Sequence, residues 1–130
     1  MIVLDASVAL GLANSTDVHH ARAKTLLSEL QSDGSRLLLT DYVFNEIIGV
    51  MLRKVGKKKA MAFGEYLLQS TFIAHTDGAM LKDAWSLFTK TTLGLSLVDC
   101  ALVVTAKRAH AKGIATFDNE FKRAGIAVFA

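Results

Sequence analysis

Met1-Ile2-Val3-Leu4-Asp5-Ala6-Ser7-Val8 decides how the rest of the chain is read, because an apolar triplet without alternation runs directly into a carboxylate. Uniformly apolar runs this short mark strands buried on both faces; a strand with one wet face would alternate. Four more runs of this kind follow: Leu37-Leu38-Leu39, Phe72-Ile73-Ala74, Ile114-Ala115-Thr116 and Ala127-Val128-Phe129. Between them, about residues 17–32, 42–54, 57–69, 79–90 and 97–112 carry apolar residues at helical spacing. In the last of these, Leu97, Ala101, Val104 and Arg108 fall on one stripe. Strands that alternate with helices give an α/β fold, a short parallel sheet with helices on both faces. Punctuation agrees: Ser32-Asp33-Gly34-Ser35 and Asp77-Gly78 are turn sequences, Gly56 separates two helices, and Gly113 stands where a helix C-cap would.

The 130 residues suit one domain spanning 1–130. An apolar content of 52% excludes disorder. A single cysteine, Cys100, excludes an intrachain disulfide and a cysteine-based zinc site, and points to a reducing cytoplasm. It reads as a small buried side chain. The apolar N-terminus is no secretory leader, since no Lys or Arg precedes it and Asp5 interrupts it. No other segment approaches the roughly 18 apolar residues of a membrane span. The chain therefore reads as cytoplasmic, with no membrane contact.

In an open parallel sheet, ligands bind beyond the carboxyl ends of the strands. Asp5 follows the first apolar run, Glu46 lies in the first turns of the helix after Leu37-Leu38-Leu39-Thr40, and Asp118 comes two residues after Thr116. Asp99 lies in the first turn of the helix entered through Gly94-Leu95-Ser96. Each has an ordinary structural role to weigh against chemistry. Asp99 completes a capping-box-like Ser96-Leu97-Val98-Asp99, Asp118 suits the start of a short helical segment over 119–124, and Glu46 suits an exposed helix face. Asp5 resists such a reading, because an unpaired carboxylate inside an apolar run is costly. Were the four to converge, their repulsion would need a counter-charge, and no basic residue lies beside Asp5, Glu46 or Asp99 in sequence. Oxygen-only ligation suits Mg²⁺ or Mn²⁺, which activate water and stabilise charge on a phosphodiester.

The pattern resembles the PIN-domain family, metal-dependent nucleases that include the VapC-type toxin ribonucleases. The resemblance rests on Val3-Leu4-Asp5-Ala6-Ser7-Val8, Val43-Phe44-Asn45-Glu46-Ile47, Leu97-Val98-Asp99-Cys100 and Thr116-Phe117-Asp118-Asn119-Glu120-Phe121, which occur in the family's order across the whole chain. It implies a three-layer α/β/α PIN-like fold with a five-stranded parallel sheet. It also implies that Asp5, Glu46, Asp99 and Asp118 bind Mg²⁺ or Mn²⁺, with the Ser7 hydroxyl in support and Thr116 as a positioning residue. RNA is the implied substrate, and a small antitoxin protein the implied partner. One departure is Val43, where many relatives carry Ser or Thr three residues before the helical Glu. Glu120, two residues from Asp118, is ambiguous.

An RNA substrate needs cationic surface. The densest cluster is Arg53, Lys54, Lys57, Lys58 and Lys59, with Lys107, Arg108, Lys112, Lys122 and Arg123 further on. The formal charge is only +3, yet setting aside the four acids leaves eight Asp and Glu against fifteen Lys and Arg. His19 and His20 read as surface residues. Leu81, Trp85 and Phe88 share helical spacing and read as core or as a protein interface, and the apolar excess permits a homodimer face. Rival functions are weaker. An aspartate-nucleophile phosphatase needs an acid where Ser7 stands, and a phospho-acceptor domain needs a lysine at a strand end. An RNA-processing nuclease outside a toxin–antitoxin pair, or a non-catalytic nucleic-acid-binding module, remains as the alternative.

Overall fold

In a computed structural model that describes residues 1–130, the five apolar runs are the strands β1 (Ile2–Leu4), β2 (Leu37–Thr40), β3 (Phe72–Ala74), β4 (Ile114–Ala115) and β5 (Val128–Phe129). They pair in parallel in the order β3-β2-β1-β4-β5. Ile2, Val3 and Leu4 are buried because β1 is the central strand and has a layer on each face. Each such aliphatic side chain contributes roughly 1.5–3 kcal/mol by leaving water.

Seven helices join the strands: α1 (Ala6–Ala13), α2 (His20–Ser32), α3 (Asp41–Val55), α4 (Lys57–Ser70), α5 (Gly78–Lys90), α6 (Leu97–Arg108) and the short α7 (Glu120–Arg123). The chain leaves β1 toward β2 and β3, then crosses back to β4 on the other side. Right-handed crossovers put α1 to α4 on one face and α5 to α7 on the other. Packing agrees, with α1 against α2 and α3, α3 against α4, α5 against α6, and α6 against β1. This is the expected three-layer α/β/α arrangement. The reversal of strand order falls between β1 and β4, so the crevice where such folds bind ligands opens beside Asp5.

The structure corrects several local expectations. Helix α1 carries no period to detect, because Ala6, Val8, Ala9 and Gly11 are all buried and its eight residues are apolar almost throughout. Helix α2 starts at His20 rather than at residue 17, after a turn in which Asp17 accepts the His19 N–H. Helix α6 is buried on more than one stripe: Cys100, Ala101, Leu102, Val103, Thr105 and Ala106 are all inside, whereas Arg108 is exposed. It ends at Arg108, and its left-handed residue is His110, with φ of 49°. Gly113 is therefore no cap. It stands where β4 meets the last strand, and a Cβ there would lie 2.3 Å from the Ala127 carbonyl oxygen. Gly56, by contrast, separates α3 from α4 with a φ of 90°, as its position implies.

Candidate active site

Asp5 ends β1 and opens α1, where its Oδ1 accepts the Ala6 N–H at 2.8 Å. Its other oxygen, Oδ2, takes the Ser7 hydroxyl at 2.9 Å and the Thr116 hydroxyl at 2.7 Å. Hydrogen directions follow from the partners. Ser7 Oγ must accept the Phe117 N–H at 3.1 Å, and Thr116 Oγ1 the Asp118 N–H at 3.0 Å, so both hydroxyls spend their single proton on Asp5. The arrangement fits a carboxylate, which only accepts. Asp5 is only 8% exposed, yet none of its donors carries a charge.

Asp99 enters through the capping box of α6: its Oδ2 accepts the Ser96 N–H at 2.9 Å while Ser96 Oγ accepts the Asp99 N–H at 3.1 Å. That satisfies the helix start and leaves Oδ1 without a protein partner. Asp118 Oδ1 accepts the Glu120 N–H at 2.9 Å at the start of α7. Glu46 lies in the second turn of α3 and makes no hydrogen bond through its side chain. The structural roles weighed for Asp99 and Asp118 are thus filled with one oxygen each, and the other oxygen stays free.

Charge links Glu46 to Asp5 and Asp99, and Asp99 to Asp5 and Asp118. Partial burial of its carboxyl end raises the Glu46 pKa above the ordinary value, and the charges of Asp5 and Asp99 raise it further, although much of the residue is exposed. Burial likewise raises Asp99; the Ser96 hydrogen bonds pull it down, and the charges of Asp5 and Asp118 push it up. The Cys100 thiol, buried behind Asp99, is raised by burial and then by that charge. No cation of the protein answers this repulsion. The ion pairs lie elsewhere, His75 with Asp41, Arg108 with Asp83 and Arg123 with Glu120. No three acid, histidine or cysteine side chains close around one point, so a metal here would draw the rest of its shell from water or substrate. In donor chemistry the group fits a hard divalent cation: free carboxylate oxygens, no competing lysine or arginine, and one nearly buried acid held by neutral donors.

Comparison with known proteins joins this geometry to a family, for the PIN domain matches residues 2–127. The chain belongs to the PIN-domain family. Membership supports a nuclease, a hydrolase of phosphodiester bonds. Among solved structures, this PIN domain is similar to VapC20 of Mycobacterium tuberculosis, a sarcin-ricin loop cleaving toxin, with a TM-score of 0.86 and 22% identity over 98% of this chain and 97% of that one. It is also similar to a chain of FitAcB from Neisseria gonorrhoeae, with a TM-score of 0.72 and 24% identity over 100% and 97% of the two chains. VapBC2 from Rickettsia felis, solved with a DNA fragment from its promoter, gives a TM-score of 0.77 and 16% identity over 98% and 97%. At these identities the likeness is one of fold. No curated protein matches the chain in sequence.

Other residues of this PIN domain fall in less expected places. Arg53, Lys54, Lys57, Lys58 and Lys59 are all exposed and unpaired, at the far end of α3 and the start of α4. Seven residues separate Glu46 from Arg53, about 10 Å along a helix. Glu120 pairs with Arg123 at 3.4 Å and takes a long contact from the Gly94 N–H. The two histidines read as surface both have partners. His20 Nδ1 donates to the Gly11 carbonyl at 2.9 Å, and the His19 ring packs on Phe117 with centroids 4.7 Å apart. Arg22 also lies over the Phe117 ring, 4.9 Å from its centroid. Nothing in the sequence pattern singles out Arg22, because residues 22 and 117 meet only through the tertiary fold. No helix is long and apolar enough to cross a membrane.

Proposed function

We propose that this PIN domain is a metal-dependent ribonuclease that cuts RNA internally and serves as the toxin of a toxin–antitoxin pair. The observation that carries the proposal is a set of mutually repelling carboxylates without a protein cation among them, built around an Asp5 held only by neutral donors. Asp5, Glu46, Asp99 and Asp118 would hold Mg²⁺ or Mn²⁺. The metal, when bound, supplies an activated water and stabilises the charge that grows on the phosphodiester. Ser7 and Thr116 hold the Asp5 carboxylate in one rotamer, as outer partners of a metal ligand do. Ser96 does the same for Asp99 through its backbone N–H.

RNA as the substrate is supported by the likeness to VapC20, a toxin that cleaves the sarcin-ricin loop. Arg53, Lys54, Lys57, Lys58 and Lys59 would meet the RNA backbone at a distance from the cut, since none of them is spent on an ion pair. A small antitoxin is supported by the likeness to FitAcB and VapBC2, and by the exposed groove between α3 and α4 lined by Phe44, Ile48, Leu52, Met61 and Leu68. Exposed Leu81, Trp85 and Phe88 on α5 suit a homodimer face. A single buried cysteine suits the cytoplasm.

The deciding experiment is cleavage of structured RNA in Mg²⁺ by the wild type and by Asp5→Asn. Cleavage is expected to fall by at least about 100-fold in the variant. A variant as active as the wild type overturns the assignment.

A further inference from the structure

We infer that Arg22, held over the ring of Phe117, the residue before Asp118, binds an RNA phosphate next to the one that is cut. The inference rests on the ribonuclease reading above and adds a substrate-contacting residue to it.

Phe117 lies in sequence between Thr116 and Asp118, and its N–H donates to Ser7 Oγ at 3.1 Å. Its backbone is therefore tied to the network that holds Asp5. The ring is half-buried and supports two side chains from the start of α2: Arg22, with its guanidinium carbon 4.9 Å from the ring centroid, and His19, its ring tilted by 31° at 4.7 Å. Residues three apart at a helix start share a face, so one aromatic ring serves both.

Arg22 is exposed and its charge answers no acid, whereas Arg108 and Arg123 are both ion-paired. A guanidinium over a ring is held through its cation–π attraction and leaves its N–H donors unspent, since Arg22 makes no ion pair. Those donors match two oxygens of one phosphate. The lysine-rich stretch begins about 10 Å along α3 from Glu46 and has no hydrogen bond to the network that holds Asp5. Arg22 is the cation whose support is covalently next to a site acid. An acidic pocket repels every phosphate except the one its metal grips, so the neighbouring phosphate needs a cation of its own, close by and already in place.

The test compares Arg22→Ala with the wild type in three measurements. The first is the KM and kcat for cleavage of structured RNA in Mg²⁺. The second is binding of a short fluorescein-labelled single-stranded RNA of random sequence at several salt concentrations, with both proteins carrying Glu46→Gln so that the RNA is not consumed. The third is the gain in Tm on adding Mn²⁺. Arg22→Ala is expected to weaken RNA about tenfold, mainly through KM, and to shallow the slope of log affinity against log salt by about 0.7. Its Mn²⁺ response should equal that of the wild type. Phe117→Leu, which keeps an apolar side chain and loses the ring face, should weaken RNA in the same direction. Unchanged RNA affinity in Arg22→Ala overturns the inference and leaves the ribonuclease reading standing. Loss of the Mn²⁺ response together with RNA affinity also overturns it, since Arg22 would then act through the acids. A wild type that neither cuts RNA nor responds to Mn²⁺ overturns the ribonuclease reading, and the inference falls with it.

Discussion

Thr116 donates its hydroxyl to Asp5 Oδ2 at 2.7 Å across 111 positions of sequence. The same Oγ1 accepts the Asp118 N–H at 3.0 Å. One oxygen atom therefore sets the distance between an acid at the end of β1 and an acid beyond β4. It is buried, and it has no water to fall back on if either partner is removed.

Thr116→Val keeps the shape of this side chain and deletes that atom. Asp5 loses a donor and the Asp118 N–H loses its acceptor, which should cost about 1–3 kcal/mol of stability in urea denaturation. Mn²⁺ affinity, read by calorimetry, should fall by roughly 10–100-fold. Unchanged metal affinity would show that Thr116 does not position Asp5 for the metal.

Glu46→Gln should separate stability from activity. The native carboxylate has no hydrogen-bonding partner and is repelled by Asp5 and Asp99, so its loss relieves strain in the metal-free protein. Its Tm in EDTA should be no lower than that of the wild type, while RNA cleavage falls by at least about 100-fold. A clear drop in Tm would mean that Glu46 serves the fold.

The raised pKa values of Glu46 and Asp99 fix the sign of a pH effect. Both carboxyls hold their protons to higher pH in the folded chain than in the unfolded one, where the ordinary values are 4.5 and 3.8. In that window the native state binds more protons, so their contribution is full below those values and is lost as pH rises through the raised ones. The Tm difference between Glu46→Gln and the wild type in EDTA should widen with pH above the ordinary carboxylate range. Saturating Mn²⁺ should reverse the trend for the wild type, because metal ligation requires the deprotonated acids. A difference that stays flat from low to neutral pH would contradict the coupling.

Gly113→Ala would force a Cβ to within 2.3 Å of the Ala127 carbonyl oxygen, where β4 meets the last strand. Backbone has to move, at a cost of about 1–3 kcal/mol. Because Thr116 follows β4 directly, Mn²⁺ affinity should weaken alongside. Gly78→Ala is the control: nothing lies within 4 Å of its added Cβ, so urea denaturation should show no loss of stability.

What could be read from the sequence, and what could not, divides along a physical line. Strands buried on both faces announce themselves as unbroken apolar runs, and β1 to β5 all sit on such runs. Acids after strands are local features too, which made Asp5 and Asp118 legible. Helix α1 was hidden for a related reason, since a segment that is apolar almost throughout shows no period. Gly113 was misread because a glycine after a helix and a glycine under a neighbouring carbonyl look alike until the strands are paired. Arg22 and His19 were out of reach for a third reason. Their meeting with Phe117 depends on where α2 lies relative to the end of β4, and no local pattern encodes that.

Strand β4 can take its place beside β1 only once residues 114–115 exist, and the Thr116 hydroxyl and Asp118 come later still. During synthesis, a chain that has reached the end of α6 already holds Asp5, Glu46 and Asp99, yet its central strand has one bare edge. The pocket is finished only once residues 114–118 have been added. A chain proposed to cut RNA is thereby unarmed until the stretch that carries Thr116 and Asp118 has docked beside β1.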